Sequence, residues 1–152
     1  MPKLRTRMFQ SWFRMSRPMT LGVRAMLEDR QGRVLLVRHT YTSGLFLPGG
    51  GVEKGEIAEV SLRRELIEEA GAEIVGAPRL IGIYSNHRVF PNDHVVLYRL
   101  DAEAWQAREP TSRGEISQRL WIDPVSPPED ATPGTKRRLA EVYGGGVSDG
   151  YW

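Results

Sequence analysis

The chain has no cysteine. That excludes disulfides, thiolate metal sites and a cysteine nucleophile, and it suits a reducing cytoplasm. Long hydrophobic runs are also missing. None approaches the roughly 20 apolar residues of a membrane span, and the N-terminus lacks the apolar stretch and small-residue cleavage site of a secretory signal. Net charge is close to absent as well. The formal balance is +2 over 152 residues, so whole-chain charge gives a nucleic-acid partner little support. The three histidines, His39, His87 and His94, are scattered, and each reads first as a structural or surface residue. No lysine follows the glycines in a P-loop pattern.

What is present describes an ordinary globular protein, 40% hydrophobic and 26% charged, and enough chain for one substantial core. The charge is uneven. Residues 1–17 carry Lys3, Arg5, Arg7, Arg14 and Arg17 with no acid. The remainder, with sixteen basic and nineteen acidic residues, is therefore −3. Residues 8–15, MFQSWFRM, read as a segment that packs on its own domain or a second subunit, or as a helix lying on a membrane surface. The divisions expected are a basic flanking segment over 1–18, a domain over 19–143 and a mobile glycine-rich tail over 144–152.

Residues 19–29 and 33–39 are apolar β-type runs around the turn residues Asp29 to Gly32, which predicts a hairpin. Residues 47–51, LPGGG, break any helix or central strand. A helix fits from Glu56 to Ala70. Leu62, Leu66 and Ala70 recur every four residues, Val60 and Ile67 widen that face, and Gly71 supplies the stop. Strands are expected at 79–86, 94–100 and 117–123. A final helix starts at Thr132-Pro133, cap then first-turn proline, and ends near Tyr143.

The informative stretch is RELIEEAG, Arg64 to Gly71. Glu65 sits three residues before Glu68 and four before Glu69, spacings at which like charges cost a helix about 0.2–0.5 kcal/mol per pair. At 100° per residue the three carboxylates share a sector turned away from the apolar face. Carboxylates are hard oxygen donors, so three together, without cysteine or a nearby histidine, favour Mg²⁺ or Mn²⁺ over zinc or copper. Such a cation relieves the repulsion, keeps its waters and binds substrate phosphates.

The spacing is specific. Gly50 is followed by five residues and Glu56, seven more lead to Arg64-Glu65-Leu66, and Glu68-Glu69 and Gly71 complete the set. This run resembles the signature box of the Nudix hydrolases. Only Ala72, where a larger aliphatic residue is usual, departs from it. The resemblance implies an α/β/α sandwich around a mixed sheet, with Mg²⁺-dependent hydrolysis of a phosphoanhydride in a nucleoside diphosphate linked to another group, NDP–X. It implies Glu65 and Glu69 as metal ligands, Glu68 as a ligand or water-activating base, and the Gly49 carbonyl as a further ligand. Arg64 and Glu56 become the pair that braces them.

Glu115, six residues before Trp121, sits where a later loop often adds an acid, ahead of Asp93 and Glu53. Candidate substrate contacts are Gly50, Arg38, Phe46 and Arg88. Arg88 could grip a phosphate, and Phe46 or Tyr84 could stack a base or belong to the core. Many relatives are dimers, so a homodimer is among the expectations. Two other readings share the scaffold, an RNA 5′-pyrophosphohydrolase and a nucleotide sensor without catalysis.

Overall fold

The computed structural model describes residues 4–152; the first three residues of the basic segment lie outside them. Leu4–Ser16 forms helix α1, and none of its residues is buried. Packing of this segment on its own domain is therefore not what the structure has.

Strands β1 (Thr20–Leu27), β3 (Gly49–Gly51), β5 (Arg79–Ser85) and β6 (Asp93–Leu100) make a mixed sheet in the order β3-β1-β6-β5. Its centre is the parallel pair β1 and β6, and both outer pairings are antiparallel. Strand β2 (Val34–His39) pairs with β8 (Ile116–Ile122), and β4 (Ala72–Ile74) with β7 (Trp105–Ala107). The hairpin expected of β1 and β2 is thus corrected. Asp29 does make the turn, its carboxylate accepting from the amides of Gln31 and Arg33 at 2.9 Å. Only the Glu28–Val34 bridge joins the two strands. The reason is that β1 spends its edges on β3 and β6, so β2 must leave for β8.

Helix α2 (Ala58–Glu65) runs into a π-turn over Leu66–Ala70, and α3 spans Pro133–Tyr143. The two helices pack on opposite faces of the sheet. One core joins Leu62 and Leu66 to Val23, Ala25 and Val96. The other joins Leu139 to Met26, Leu97 and Tyr84. Leu62 and Leu66 are fully buried, each contributing about 1.5–3 kcal/mol. Thr132 caps α3, its hydroxyl accepting from the Thr135 amide, with Pro133 in the first turn. The architecture is the α/β/α sandwich with a mixed sheet that the sequence implies.

Tyr84 belongs to this core, 3% exposed, and donates its hydroxyl to Glu141 at 3.0 Å. That excludes base stacking by Tyr84. The tail, expected to be mobile, is docked along β5. Ser85 N–H donates to Gly150 C=O at 2.8 Å, Trp152 N–H donates to Ser85 C=O at 2.9 Å, and the Trp152 ring meets Tyr84 edge-on. Aromatic anchors outweigh the glycines here.

The helical stretch begins at Ala58, two residues later than expected, because Glu56 is used otherwise. Its carboxylate accepts from the Glu53 amide at 3.0 Å, the Ser61 hydroxyl at 2.9 Å, and Nε and Nη2 of Arg64. This pair ties the loop after β3 to the helix that follows. The Arg64 hydrogen bonds, with those from Glu53 and Ser61, hold the Glu56 carboxyl down at about 2. Its contribution is therefore complete above the ordinary glutamate value of 4.5 and disappears as pH falls from there towards 2. Thermal melts of wild type and Glu56→Gln should differ most at neutral pH, with wild type higher. The gap should close between pH 4.5 and 2. A gap that stays constant across this window would contradict the assignment.

Candidate active site

Three glycines bring the acidic helix against the sheet. Gly49 has φ 150°, and a Cβ there would stand 1.9 Å from the Val23 carbonyl oxygen. A Cβ on Gly50 would stand 2.4 Å from the Glu65 carboxylate. A side chain at Gly49 would force β3 away from β1, and one at Gly50 would push the helix off β3. Gly71 ends the π-turn in the left-handed conformation at φ 61°.

Glu69 is the most constrained of the acids. The helical wheel turns it outward, yet it is only 5% exposed. The π-turn sets it between β2 and β3, where the Gly49 N–H donates to Oε2 at 3.1 Å and His39 Nε2 lies 2.9 Å from Oε1. Burial is the largest influence on its carboxyl and, with the charges of Glu65 and Glu115, raises it to about 7; the Gly49 amide and Arg24 act the other way. Burial lowers His39 likewise, reinforced by Arg24. Both groups are driven towards neutrality. His39 Nδ1 is buried without a partner among the described residues, and Nε2 shares one hydrogen bond with Glu69 Oε1, in which the donor is whichever of the two carries the proton. π-turns gather at functional positions because they break the regular ladder. The carbonyls this one frees are answered, Glu69 C=O by Arg119 Nε at 2.5 Å and Glu68 C=O by the Ser112 amide at 3.2 Å.

Glu65 lies against Gly50 and accepts from Arg64 Nη1 at 2.6 Å. Burial is the main cause that raises its carboxyl, against the pull of Arg64. Glu68 is more open and lies 3.7 Å from the same guanidinium. Arg64 also donates to the Gly51 carbonyl at 3.2 Å. One cation therefore spans Glu56, Glu65, Glu68 and the glycine strand.

Glu65, Glu68 and Glu69, but neither Arg64 nor Glu56, line a cleft of about 810 Å³. Glu65, Glu68, Glu69 and Glu115 share it with Gly49, Gly50 and Phe46. Glu115 reaches the cleft because its carbonyl accepts from the Thr40 amide at 2.8 Å, beside His39. Asp93 also lines the cleft, holding Thr20 Oγ1 at 2.7 Å and Asn86 Nδ2 at 2.9 Å.

Two expected substrate contacts lie elsewhere. Arg38 is outside the cleft lining, 2.5 Å from Asp130 and 3.1 Å from Gln118. Arg88 is taken up by the docked tail, 3.7 Å above the Tyr151 ring and 3.6 Å from Asp149. Glu53 is on an exposed loop, and His87 Nδ1 accepts from the Asn92 amide at 3.0 Å.

Arg24 is the residue that sequence reasoning passed over. It lines the cleft, donates to Leu47 C=O at 2.9 Å and Gly49 C=O at 3.3 Å, and lies over Phe46. Burial lowers its basicity while Glu69 and Glu65 raise it. A single arginine inside TLGVRAML was the available signal.

The donor set suits a hard divalent cation. Five carboxylates, Glu65, Glu68, Glu69, Asp93 and Glu115, line one cleft, Glu65 and Glu115 add to the cost of ionising Glu69, and no sulfur is available. As placed, no three such side chains converge on a single point among the described residues. A bound cation would draw in the half-buried Glu68 and the exposed Glu115.

A Nudix-domain family profile matches residues 18–142. A Bacillus subtilis (strain 168) protein provisionally named 8-oxo-dGTP diphosphatase is 25% identical over 126 residues, 83% of this chain and 81% of its own. Among solved structures, a MutT Nudix hydrolase from Burkholderia pseudomallei superposes with TM-score 0.67 at 22% identity, covering 81% of this chain and 97% of that one. An ADP-ribose pyrophosphatase from Streptococcus suis gives 0.64 at 19% identity, covering 88% and 96%. With its profile matched over most of its length, and the box residues gathered as described, the chain belongs to the Nudix hydrolase family.

Proposed function

We propose that this protein hydrolyses a phosphoanhydride bond of an NDP–X compound, with Mg²⁺ as the cation and Mn²⁺ as a substitute. The observation that carries the reading is the meeting of Glu65, Glu68, Glu69 and Glu115 with the glycine strand in one cleft large enough for a nucleotide derivative. Its relatives' names point the same way, towards a nucleoside triphosphate in one case and ADP-ribose in the other.

Glu65, Glu68, Glu69 and the Gly49 carbonyl would hold the cation. Bound there, it supplies charge neutralisation for the phosphates and lowers the pKa of a bound water. Arg64 and Glu56 keep the helix seated on β3 so that the carboxylates stay in place. His39 Nε2 fixes the Glu69 carboxyl from behind through their shared hydrogen bond. Glu115, exposed at the rim, is the candidate to take the proton from the attacking water. Oxygen attacks phosphorus, the bridging P–O bond breaks, and the nucleotide phosphate leaves X-phosphate behind. Arg24 faces the negative charge that builds on the phosphoryl oxygens, and Phe46 offers an aromatic surface to the base. A cytoplasmic location suits such substrates.

Phosphate release should be followed over nucleoside triphosphates, dinucleoside polyphosphates, ADP-ribose, nucleotide sugars and 5′-triphosphate RNA, each with and without Mg²⁺ or Mn²⁺. Metal-dependent turnover of an NDP–X compound is expected, and Glu69→Gln should lower kcat at least ~100-fold, since even outer-shell changes cost about 10–100-fold. Turnover confined to RNA would make the protein an RNA 5′-pyrophosphohydrolase. No turnover of any compound would make it a sensor. Separately, Mg²⁺ should raise the Tm of wild type more than that of Glu69→Gln, by up to about 2.7 kcal/mol of stabilisation at 100 times its Kd. Equal rises would remove Glu69 from the ligand set.

A further inference from the structure

Residues 148–152 are held more firmly than a glycine-rich stretch requires. Buried Arg138 donates to the Ser148 hydroxyl at 3.2 Å. Arg88 lies beside Asp149 and over the Tyr151 ring. Gly150 turns the chain at φ 83°, and Tyr151 forms a parallel bridge with Ser85. Arg137 Nη2 donates to the Trp152 carbonyl. What this anchoring positions is an indole. Trp152 packs on the core beside Tyr84, yet it is only half-buried and lines the cleft that holds the carboxylates. Helix α3 makes a seat for it. A Cβ on Gly134 would stand 2.5 Å from the indole Nε1. Gly134 lies in the first turn of α3, where any residue can adopt the backbone. The space, not the conformation, therefore calls for glycine.

The surroundings of this seat are apolar and aromatic. Val89 and Phe90 follow β5, line the same cleft and are 76% and 54% exposed. Their amides donate to the Asn86 carbonyl at 3.0 and 2.9 Å, which folds that loop beside Ser85, where Trp152 docks. The Leu45 carbonyl accepts from the Thr132 amide at 3.0 Å and so brings Phe46 to the start of α3.

We propose that Trp152 is a specificity-determining residue of the cleft, its indole seating a planar heteroaromatic ring of the substrate. The inference rests on the nucleotide reading above. Carboxylates and a cation act on phosphates, which every NDP–X compound shares, so selection among such compounds needs another wall of the cleft. An indole offers a large flat face that stacks on any base. The ring is the nucleobase or one carried by X, as in dinucleoside polyphosphates. Gly134 and Arg88 are positioning residues, one leaving room for the indole and the other clamping the segment that carries it.

Fluorescence reads the ring contact without turnover. Emission of wild type minus that of Trp152→Phe isolates this indole from Trp12, Trp105 and Trp121. At least one of AMP, GMP, CMP and UMP should quench it saturably, and ribose 5-phosphate should not. Quenching by none of the four, or equally by ribose 5-phosphate, would overturn the proposal. Turnover without quenching defeats this inference and leaves the hydrolase reading standing, whereas quenching without turnover does the reverse. With an active substrate, Trp152→Ala should raise KM roughly 5- to 150-fold at nearly constant kcat. Trp152→Phe should recover most of that loss, and Gly134→Ala and Arg88→Ala should also raise KM. An unchanged KM in Trp152→Ala would contradict the assignment. A rise shared by ADP-ribose and nucleotide sugars assigns the seat to the nucleobase, and a rise confined to dinucleoside polyphosphates assigns it to X.

Discussion

The hydrogen bond from the Gly49 amide to Glu69 is the contact on which the site depends. It joins the end of the acidic helix to the strand that carries the glycines, at 3.1 Å. Everything nearby is arranged around this closeness. Gly49 and Gly50 have no side chains because the Val23 backbone and the Glu65 carboxylate occupy the space. Leu62 and Leu66 press the same helix onto the sheet from its other side. Arg64 closes the gap further along, reaching both Glu56 and the Gly51 carbonyl. The helix is held by its apolar face and by its polar face at once.

This closeness creates an electrostatic debt. Glu65 and Glu69 are desolvated, and burial raises both carboxyls, with Glu68 adding to it at Glu65 and Glu65 and Glu115 at Glu69. Arg64 and Arg24 offset part of it. Arg64 is committed to Glu56, which holds it above its ordinary value. Arg24 is itself desolvated. The remaining imbalance favours a small, hard cation over another side chain, because a divalent ion brings two charges without a stem to bury.

The acidic set and its glycine partner were legible because their chemistry is local. Five residues, then seven, fix Gly50, Glu56 and Arg64 relative to one helix, and a periodicity of four marks Leu62 and Leu66 as its anchor. The burial of Glu69 was not legible. It depends on His39 and Gly49, which are 30 and 20 residues away, and on a π-turn that no helical wheel contains. Arg24 was hidden by lying in a strand whose pattern is otherwise apolar. Arg38 and Arg88 had the right chemistry for phosphate, but their partners, Asp130 and Tyr151, come from remote segments. The same distance effect corrected the hairpin, since the competing partner of β1 is β6, some seventy residues on. Glu115 is the exception, a remote acid that does line the cleft with the others.

The central claim is that Glu65, Glu68 and Glu69, pinned to the glycine strand, surround one divalent cation. Crystals grown with Mn²⁺ and measured for anomalous scattering test it directly. The account predicts a peak among these carboxylates, beside the Gly49 carbonyl, that is lost or weakened in Glu69→Gln. A peak elsewhere in the cleft, with Glu69 still bound only to His39 and Gly49, would contradict it.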